Sequence, residues 1–326
     1  MKRFAWMEAA SLDAAMAAAA DGAVPKAGGI DLLDLMKEGL LAPRRIVNIR
    51  ALPECSGIRE DDAGALRIGA AATLAEVASH PLVGARYRAL ARAAAGSASP
   101  QIRNVATIGG NLLQRPRCWY FRSAHHHCAR KGGATCFAFS GENQYHAVFG
   151  HEGCAIVHPS TPATALVALD AKIEIADAAG RRIVALEDFF VLPGRDITRE
   201  STLAEGQIVT AIVLPKPAAG SRSAHQRQGQ MDSFDWPIAD VAVALELEPG
   251  GTCRRAAIVL GSAAPTPWRA RRAEAVLAGK RIDEEVARAA AHAALDGAQP
   301  LSHNAYKVPV LESLVRRAVL EANRGG

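Results

Sequence analysis

The stretch from Thr107 to Cys154 constrains this chain more than any other, because it joins a glycine turn to four of the six cysteines. It opens with the residues TIGGN, and its cysteines are Cys118, Cys128, Cys136 and Cys154. The intervening residues are rich in His, Gly and aromatic side chains and show no helical or strand periodicity. An irregular segment of this length is unusual in a compact domain unless something else orders it. We therefore expect a bound metal centre to order it.

The spacing of these four cysteines leaves the kind of metal centre open. No C-x-x-C pair occurs among them, so the spacing is neither that of a zinc ribbon nor that of a ferredoxin. Four thiolates are the number that a [4Fe–4S] cluster needs, and loop ligands can be widely spaced because the cluster brings them together. A [4Fe–4S] cluster, a zinc site and structural thiols are the alternatives. Cys55 and Cys253 lie far away in the sequence and are interpreted as having no function.

A second glycine turn lies upstream, in KAGGIDLL from Lys26 to Leu33. Successive backbone N–H groups in a tight turn, together with the N-terminus of a following helix, can bind a pyrophosphate. Glycine is needed where the backbone takes positive φ or approaches a ligand closely. Neither turn has the G-x-G-x-x-G or P-loop pattern. The two turns together predict a single phosphate-bearing cofactor held by both.

Composition excludes several classes of protein. A chain of 326 residues that is 49% hydrophobic and 22% charged is long enough for two or three domains. The net charge of +5 is spread along the sequence, which predicts no nucleic-acid partner. No apolar run is long enough to cross a bilayer, and the N-terminus lacks the apolar region of a secretory signal. We therefore expect no membrane insertion and no export signal in this chain.

The remaining sequence predicts three successive units. A small β-α-β-like unit ends near Pro53, and a second unit contains a capping box at Thr73–Glu76 and a long Ala-rich helix at about Gly84–Ala95. The segment Lys216–Ser223 has the composition of a linker. After it come strands and then helices, the first of them predicted at Trp268–Ala278, which is typical of a separate α+β domain.

Motifs spread along the whole chain carry a family resemblance: KAGGIDLLDLMK, LRIGAAATLAEV, ATIGGNLLQRPRCWYFR, HAVFG, HPSTPATALVALDA, AAPTPWRA and NAYKVP. With them the chain resembles the FAD-binding subunits of molybdenum hydroxylases, the family of xanthine dehydrogenase and aldehyde oxidoreductase. NLLQRPRCWYFR followed by cysteines is similar to the branch that carries an additional [4Fe–4S] cluster. That branch includes the bacterial periplasmic aldehyde oxidoreductases and, more distantly, 4-hydroxybenzoyl-CoA reductase.

The resemblance implies an α+β fold of two parts. A PCMH-type FAD-binding domain would consist of two subdomains, residues 1–55 and 56–218, with the cluster insertion at about 115–155. A smaller C-terminal α+β domain would occupy residues 223–326.

The resemblance also implies the site residues. FAD contacts in the first turn would be Lys26, Ala27, Gly28, Gly29, Ile30, Asp31, Leu32, Leu33 and Asp34, and those in the second turn Thr107, Gly109, Gly110 and Asn111. The cluster ligands would be Cys118, Cys128, Cys136 and Cys154.

Three candidate FAD contacts depart from the family pattern. Ile30 stands where the family usually has Thr, which removes a hydroxyl but keeps the backbone donors. Thr161 stands where Asp is expected, and Arg227 stands where Lys is usual. Arg227 implies a different contact at the flavin edge, and with it a different potential or acceptor.

The implied function is electron transfer within an oxidoreductase. A partner subunit with a molybdenum cofactor would oxidise an aldehyde or N-heterocycle, and [2Fe–2S] clusters in another partner would pass the electrons to FAD here. A heterotrimer or its dimer is expected, in the cytoplasm or exported to the periplasm on a signal-bearing partner. No catalytic base is expected in this chain.

Two other classes of protein remain as alternatives. One is a stand-alone PCMH-type flavoprotein oxidoreductase, and the other is a non-enzymatic metal-binding scaffold whose glycine turns are only turns.

Overall fold

A computed structural model describes residues 1–231 and 233–325, and within them the chain forms three units, each built on its own β-sheet. The first unit has a parallel sheet in the order β1-β3-β2. Its elements are β1 (Ala5–Glu8), α1 (Leu12–Ala20), β2 (Val24–Lys26), α2 (Ile30–Lys37) and β3 (Arg45–Asn48). Helix α1 begins after Ser11, whose hydroxyl accepts a hydrogen bond from Ala14 N at 3.1 Å. The parallel strands joined by helices confirm the predicted β-α-β-like unit.

The second unit has a five-stranded antiparallel sheet in the order β4-β5-β8-β6-β7. Its helices include α3, which begins at the predicted capping box: Thr73 Oγ1 accepts from Glu76 N at 3.1 Å, and the Glu76 carboxylate accepts from Thr73 N at 2.6 Å. The strands are β4 (Ile58–Glu60), β5 (Leu66–Gly69), β6 (Lys172–Asp177), β7 (Gly180–Ala185) and β8 (Ile208–Leu214). The helices are α3 (Leu74–Ser79), α4 (Pro81–Arg86), α5 (Arg88–Ala95), α6 (Pro100–Arg103), α7 (Ile108–Leu112), α8 (Trp119–Arg122), α9 (Thr161–Ala168) and α10 (Leu186–Phe189).

The single helix predicted at about Gly84–Ala95 is wrong, because the chain breaks between α4 and α5 at Tyr87. This residue has φ −132° and ψ 52°, outside the helical region. Its side chain is 1% exposed, and its hydroxyl donates a hydrogen bond to Pro215 O at 2.9 Å. The buried anchor turns the helix, and an Ala-rich sequence pattern gives no sign of such a distant partner.

The third unit has an antiparallel sheet in the order β12-β11-β10-β9 with three helices. The predicted helix from Trp268 begins later, because Trp268 pairs with Leu260 in the sheet. The predicted linker is shorter than expected, since β9 already begins at Ser221. The elements are β9 (Ser221–Gln228), β10 (Ala239–Leu247), β11 (Cys253–Gly261), β12 (Trp268–Arg269), α11 (Arg271–Leu277), α12 (Glu284–Ala294) and α13 (Lys307–Arg324). Among the helices of residues 1–231 and 233–325, none combines the length and apolar character needed to cross a membrane.

Helix α9 joins the second and third units. Every residue from Thr161 to Ala168 is buried, and the helix packs against β10 and β11 of the third sheet as well as against α5. Its sequence, TPATALVA, is apolar or small on all sides, as expected for a helix enclosed by neighbours. The third unit therefore packs directly against the helix that begins at Thr161.

The cysteine-containing insertion is held by the start of α13. Asn304 Nδ2 donates hydrogen bonds to His146 O at 3.0 Å and Ala147 O at 3.1 Å. Lys307 is fully buried, and its Nζ donates to His146 O at 2.9 Å and to Ser262 O at 2.5 Å. Desolvation lowers the pKa of Lys307 to about 7.

This burial predicts that stability depends on pH through Lys307. An unfolded lysine has a pKa of about 10.4, so between pH 7 and 10 the unfolded chain binds the proton that the folded chain has lost. The free energy of unfolding should therefore rise with pH in this window, by up to about 1.4 kcal/mol per pH unit. Denaturant titrations at pH 7, 8 and 9 would measure this slope.

The matched variants are Lys307→Met, which should remove the Lys307 contribution to the slope, and Lys280→Met at an exposed lysine, which should keep it. Equal slopes in the wild type and Lys307→Met would contradict the assignment.

Candidate cofactor and cysteine sites

The two predicted glycine turns lie in direct contact. A Cβ atom added to Gly28 would lie 2.3 Å from Val105 O and 3.2 Å from Thr107 N, so only glycine permits this approach. The neighbouring Gly29 has φ +81°, in the left-handed region that favours glycine. Both glycines of the first turn are therefore required by the backbone itself.

The first turn ends at an open helix N-terminus. Gly29 is the N-cap of α2 and has no side chain to accept a hydrogen bond from the first helical turn. The intrahelical ladder begins with Leu33 N, which donates to Gly29 O at 2.9 Å. The N–H groups of Ile30, Asp31 and Leu32 thus stand at the positive end of the helix dipole without a side-chain acceptor. This arrangement suits a phosphate group.

The backbone N–H groups of the second turn are already hydrogen-bonded to other protein atoms. Ile108 N donates to Ala72 O at 2.8 Å, and Gly109 N donates to Ala70 O at 2.9 Å. Thr107 Oγ1 caps α7 by accepting from Gly110 N at 3.2 Å. The second turn therefore offers a ligand the small surface of Gly110 rather than a row of free N–H groups.

A cavity of about 680 Å³ opens where the turns meet, and a smaller one of about 350 Å³ adjoins it. Both are lined by Ala27 and Gly110. The predicted cofactor residues that line the larger cavity are Lys26, Ala27, Gly28, Gly29, Ile30, Asp31, Leu32, Asp34, Thr107, Gly110, Asn111 and Thr161. Gly109 lines the smaller cavity, whereas Leu33 and Arg227 line neither.

Arg227 does not line the cavity but forms hydrogen bonds with two residues that do. Its Nη1 donates to Gly96 O at 2.5 Å, and its Nη2 donates to Asp235 O at 2.9 Å. Gly96 and Asp235 both line the larger cavity. The planar guanidinium thus holds the two carbonyls at once.

The predicted contacts Asp31 and Asp34 turn their carboxylates toward the cysteine insertion. Arg122 Nη2 donates to Asp31 Oδ1 at 2.8 Å, and its Nη1 donates to Asp34 Oδ2 at 3.1 Å. Arg117 forms ion pairs with the same two carboxylates, at 2.7 and 3.1 Å. One helix, α2, thus presents its N-terminus to the cavity and its acidic face to the insertion.

Sequence reasoning missed Arg117 and Trp236 as cavity residues. The Arg117 guanidinium lies 4.6 Å from the centroid of the Trp236 ring, and both side chains line the larger cavity. Arg117 could have been noticed because RPRC begins only three residues after the second turn. Trp236 comes from the third unit, and no local pattern marks it.

The four cysteines of the insertion are gathered in one region, all as free thiols. Cys128 packs with Leu35 and Phe121, and Cys118 borders the same cluster. Burial raises the pKa of Cys118 to about 11. A hydrogen bond from the Cys136 thiol holds the pKa of Cys154 below its usual value. Cys136 and Cys154 are therefore direct neighbours.

Buried side-chain nitrogen atoms lie close to these sulfur atoms. His146 Nε2 lies 3.2 Å from Cys118 Sγ, and Arg130 Nε donates to Cys154 Sγ at 3.4 Å. Arg130 Nη2 is buried without a hydrogen-bond partner. A sulfur-rich group with further acceptors would satisfy such a donor, and cysteine thiolates are the usual ligands of an iron–sulfur cluster.

The part of the chain that the structure describes contains no set of three or more His, Cys, Asp or Glu side chains arranged to hold a single metal ion. This finding gives no support of its own to the predicted [4Fe–4S] cluster or to a zinc site. The geometry alone assigns no metal to the four thiols.

Comparison with known proteins identifies both domains. The family described as the FAD binding domain in molybdopterin dehydrogenase matches residues 2–217, and the CO dehydrogenase flavoprotein C-terminal domain matches residues 224–322. The aldehyde oxidoreductase FAD-binding subunit PaoB of Escherichia coli K12 is 35% identical over 300 residues, which cover 91% of this chain and 90% of that protein.

Solved structures agree with this assignment. The carbon monoxide dehydrogenase of Hydrogenophaga pseudoflava has a chain that superposes with a TM-score of 0.77 at 30% identity, covering 98% of this chain and 97% of that one. A chain of quinoline 2-oxidoreductase from Pseudomonas putida 86 gives a TM-score of 0.77 at 26% identity, covering 100% and 99%. The chain therefore belongs to the FAD-binding subunits of the molybdenum hydroxylases and is the flavin component of an oxidoreductase, with the two-domain α+β fold of that family.

Proposed function

We propose that this chain takes electrons from [2Fe–2S] clusters of a partner subunit, holds them on FAD and delivers them to an external acceptor. We propose further that Cys118, Cys128, Cys136 and Cys154 hold a [4Fe–4S] cluster beside the flavin. The observation that carries the proposal is the contact of the two glycine turns, which opens a cavity of about 680 Å³ in front of the free N-terminus of α2.

The residues of this chain bind and enclose the flavin cofactor. The first-turn N–H groups of Ile30, Asp31 and Leu32 are placed to hold the pyrophosphate, because they are uncapped and line the cavity. Gly110 lets the ligand approach the second turn, and Trp236 covers the cavity from the third unit. Bound FAD supplies a carrier that accepts two electrons with two protons and returns them.

The substrate reaction belongs to a partner with a molybdenum cofactor. Oxidation of an aldehyde with water gives a carboxylic acid, two protons and two electrons, and the two electrons match the capacity of one flavin. The support is the similarity to an aldehyde oxidoreductase subunit and to chains of carbon monoxide dehydrogenase and quinoline 2-oxidoreductase. A heterotrimer with a [2Fe–2S] subunit, or a dimer of such heterotrimers, follows from this division of labour.

The cysteine insertion is fixed to the flavin domain by charge. Arg117 precedes Cys118, Arg122 is the last residue of α8, and both are paired with the acidic face of α2. A cluster bound at the four thiols would supply a one-electron centre and would also close the insertion on itself. What supports a structural role is that the insertion forms its ion pairs with α2, the helix whose N-terminus lines the cofactor cavity.

The first test is whether flavin reduction needs a partner. Anaerobically purified protein should show flavin bands over broad iron–sulfur absorption, and an aldehyde should bleach the flavin only when the molybdenum and [2Fe–2S] subunits are present. An absorption spectrum before and after aldehyde addition, with FAD and iron quantified, measures this. Hydroxylation of an aldehyde by the isolated chain would contradict the proposal.

A second prediction concerns the first turn. Gly28→Ala places a Cβ 2.3 Å from Val105 O, so the turns must separate and most of the bound FAD should be lost. The matched control is Gly84→Ala in α4, where a Cβ meets nothing within 4 Å. FAD content per chain after gel filtration distinguishes the two variants, and full retention of FAD in Gly28→Ala would refute the role of the contact.

A third prediction concerns the cluster. Cys128→Ser should remove the iron–sulfur absorption and most of the iron while the flavin bands persist, because Cys128 is 6% exposed and lies among the four thiols. Cys253→Ala is the control, since Cys253 is also buried but lies in the core of the third unit. Equal iron contents in the two variants would contradict the assignment of Cys128 as a cluster ligand.

A further inference from the structure

We propose that Glu200 is a positioning residue that couples the flavin site to the cysteine site. It is a single carboxylate held between two guanidinium groups, Arg130 on the side of Cys154 and Arg115 on the side of the cofactor cavity. The inference rests on the proposed function, because it concerns the potentials of two bound redox groups.

The Arg130 side of this bridge is buried. The Arg130 side chain is 1% exposed, and its Nη1 donates to Glu200 Oε1 at 2.6 Å. Its Nε donates to Cys154 Sγ at 3.4 Å, and its Nη2 has no partner. In a planar guanidinium Nε and Nη2 share one edge, so the partnerless N–H group faces the same side as Cys154. Arg130 thus turns one edge to the carboxylate and the other to the sulfur.

The Arg115 side reaches the cofactor cavity. Arg115 Nη2 donates to Glu200 Oε1 at 3.1 Å, and Arg115 Nε lies 2.9 Å from Glu200 Oε2. The backbone N of Arg115 donates to Asp31 Oδ2 at 2.8 Å, in the first turn of α2. Arg115 itself lines the larger cavity. These contacts therefore connect Cys154, a proposed cluster ligand, to the cavity wall. They pass through the side chains of Arg130, Glu200 and Arg115.

Burial makes this arrangement electrically effective. The Glu200 side chain is 15% exposed, so its charge is less screened by water than that of a surface carboxylate. Its negative charge offsets part of the positive charge of both guanidinium groups. Reduction adds an electron to each centre, which nearby positive charge favours. The carboxylate therefore holds down the reduction potentials of both centres at once.

A merely structural ion pair would behave differently. Loss of an ion pair that is too distant or too screened to act on the two centres lowers stability or cofactor content but leaves the potentials of the bound cofactors unchanged. Coupling through Glu200 instead requires that one substitution shifts both potentials in the same direction. The two potentials are therefore the measurement that separates the explanations.

The experiment uses the assembled complex with Glu200→Gln, which keeps the shape and removes the charge. A dye-equilibrated redox titration would follow flavin absorbance and, in the same samples, the electron paramagnetic resonance of the reduced cluster. Both potentials should shift to more positive values. The control is Asp170→Asn, since Asp170 also lies between two arginines, Arg255 and Arg269, but lines neither cavity. It should leave both potentials unchanged.

A second variant tests the same coupling if Glu200→Gln loses its cofactors. Arg115→Gln, at a side chain 34% exposed, removes a positive charge and leaves Glu200 less neutralised, so both potentials should shift to more negative values. Movement of only one potential, or of neither, in protein that contains iron and FAD would overturn the coupling alone. Absence of iron from the wild type would overturn both the coupling and the proposed cluster.

Discussion

The cofactor cavity depends on the backbone contact between Gly28 and Val105. Two chain segments separated by more than seventy residues approach so closely that a single Cβ atom would part them. The contact brings the open N-terminus of α2 in front of the second turn, whose own donors are already bonded to Ala70 and Ala72. The first turn thus supplies hydrogen-bond donors. The second turn supplies the small surface of Gly110, against which a ligand can lie.

Helix α2 serves two sites because its ends and its faces differ. Its N-terminus is uncapped and lies at the cavity, where a side-chain cap would compete with an anion. Its acidic residues Asp31, Asp34 and Glu38 share one face and pair with Arg117 and Arg122 of the insertion. Several partly buried ion pairs in one network hold geometry better than an isolated surface pair would. The cysteines therefore keep a defined position relative to the cavity.

The candidate site residues came from the family resemblance and its motifs, and their contact with a cofactor stays a prediction. Twelve of the predicted cofactor residues line the larger cavity, and the four insertion cysteines lie in one region. The predictions were weakest for side chains that act through partners distant in sequence. Arg227 supports the wall instead of lining it, and Asp31 and Asp34 bind arginines instead of facing only the cavity.

The sequence by itself indicated the order of the three units and the residues at the turns, because turns, caps and strand runs follow from local backbone preference. The family was indicated by the resemblance of motifs spread along the chain. Tertiary structure alone decided that Tyr87 breaks a helix, that Trp236 reaches the cavity, and that Glu200 lies between Arg115 and Arg130. These contacts join segments far apart in the chain, so no local pattern encodes them. Burial then sets their strength, since the charge of a carboxylate acts over distance only where water is excluded.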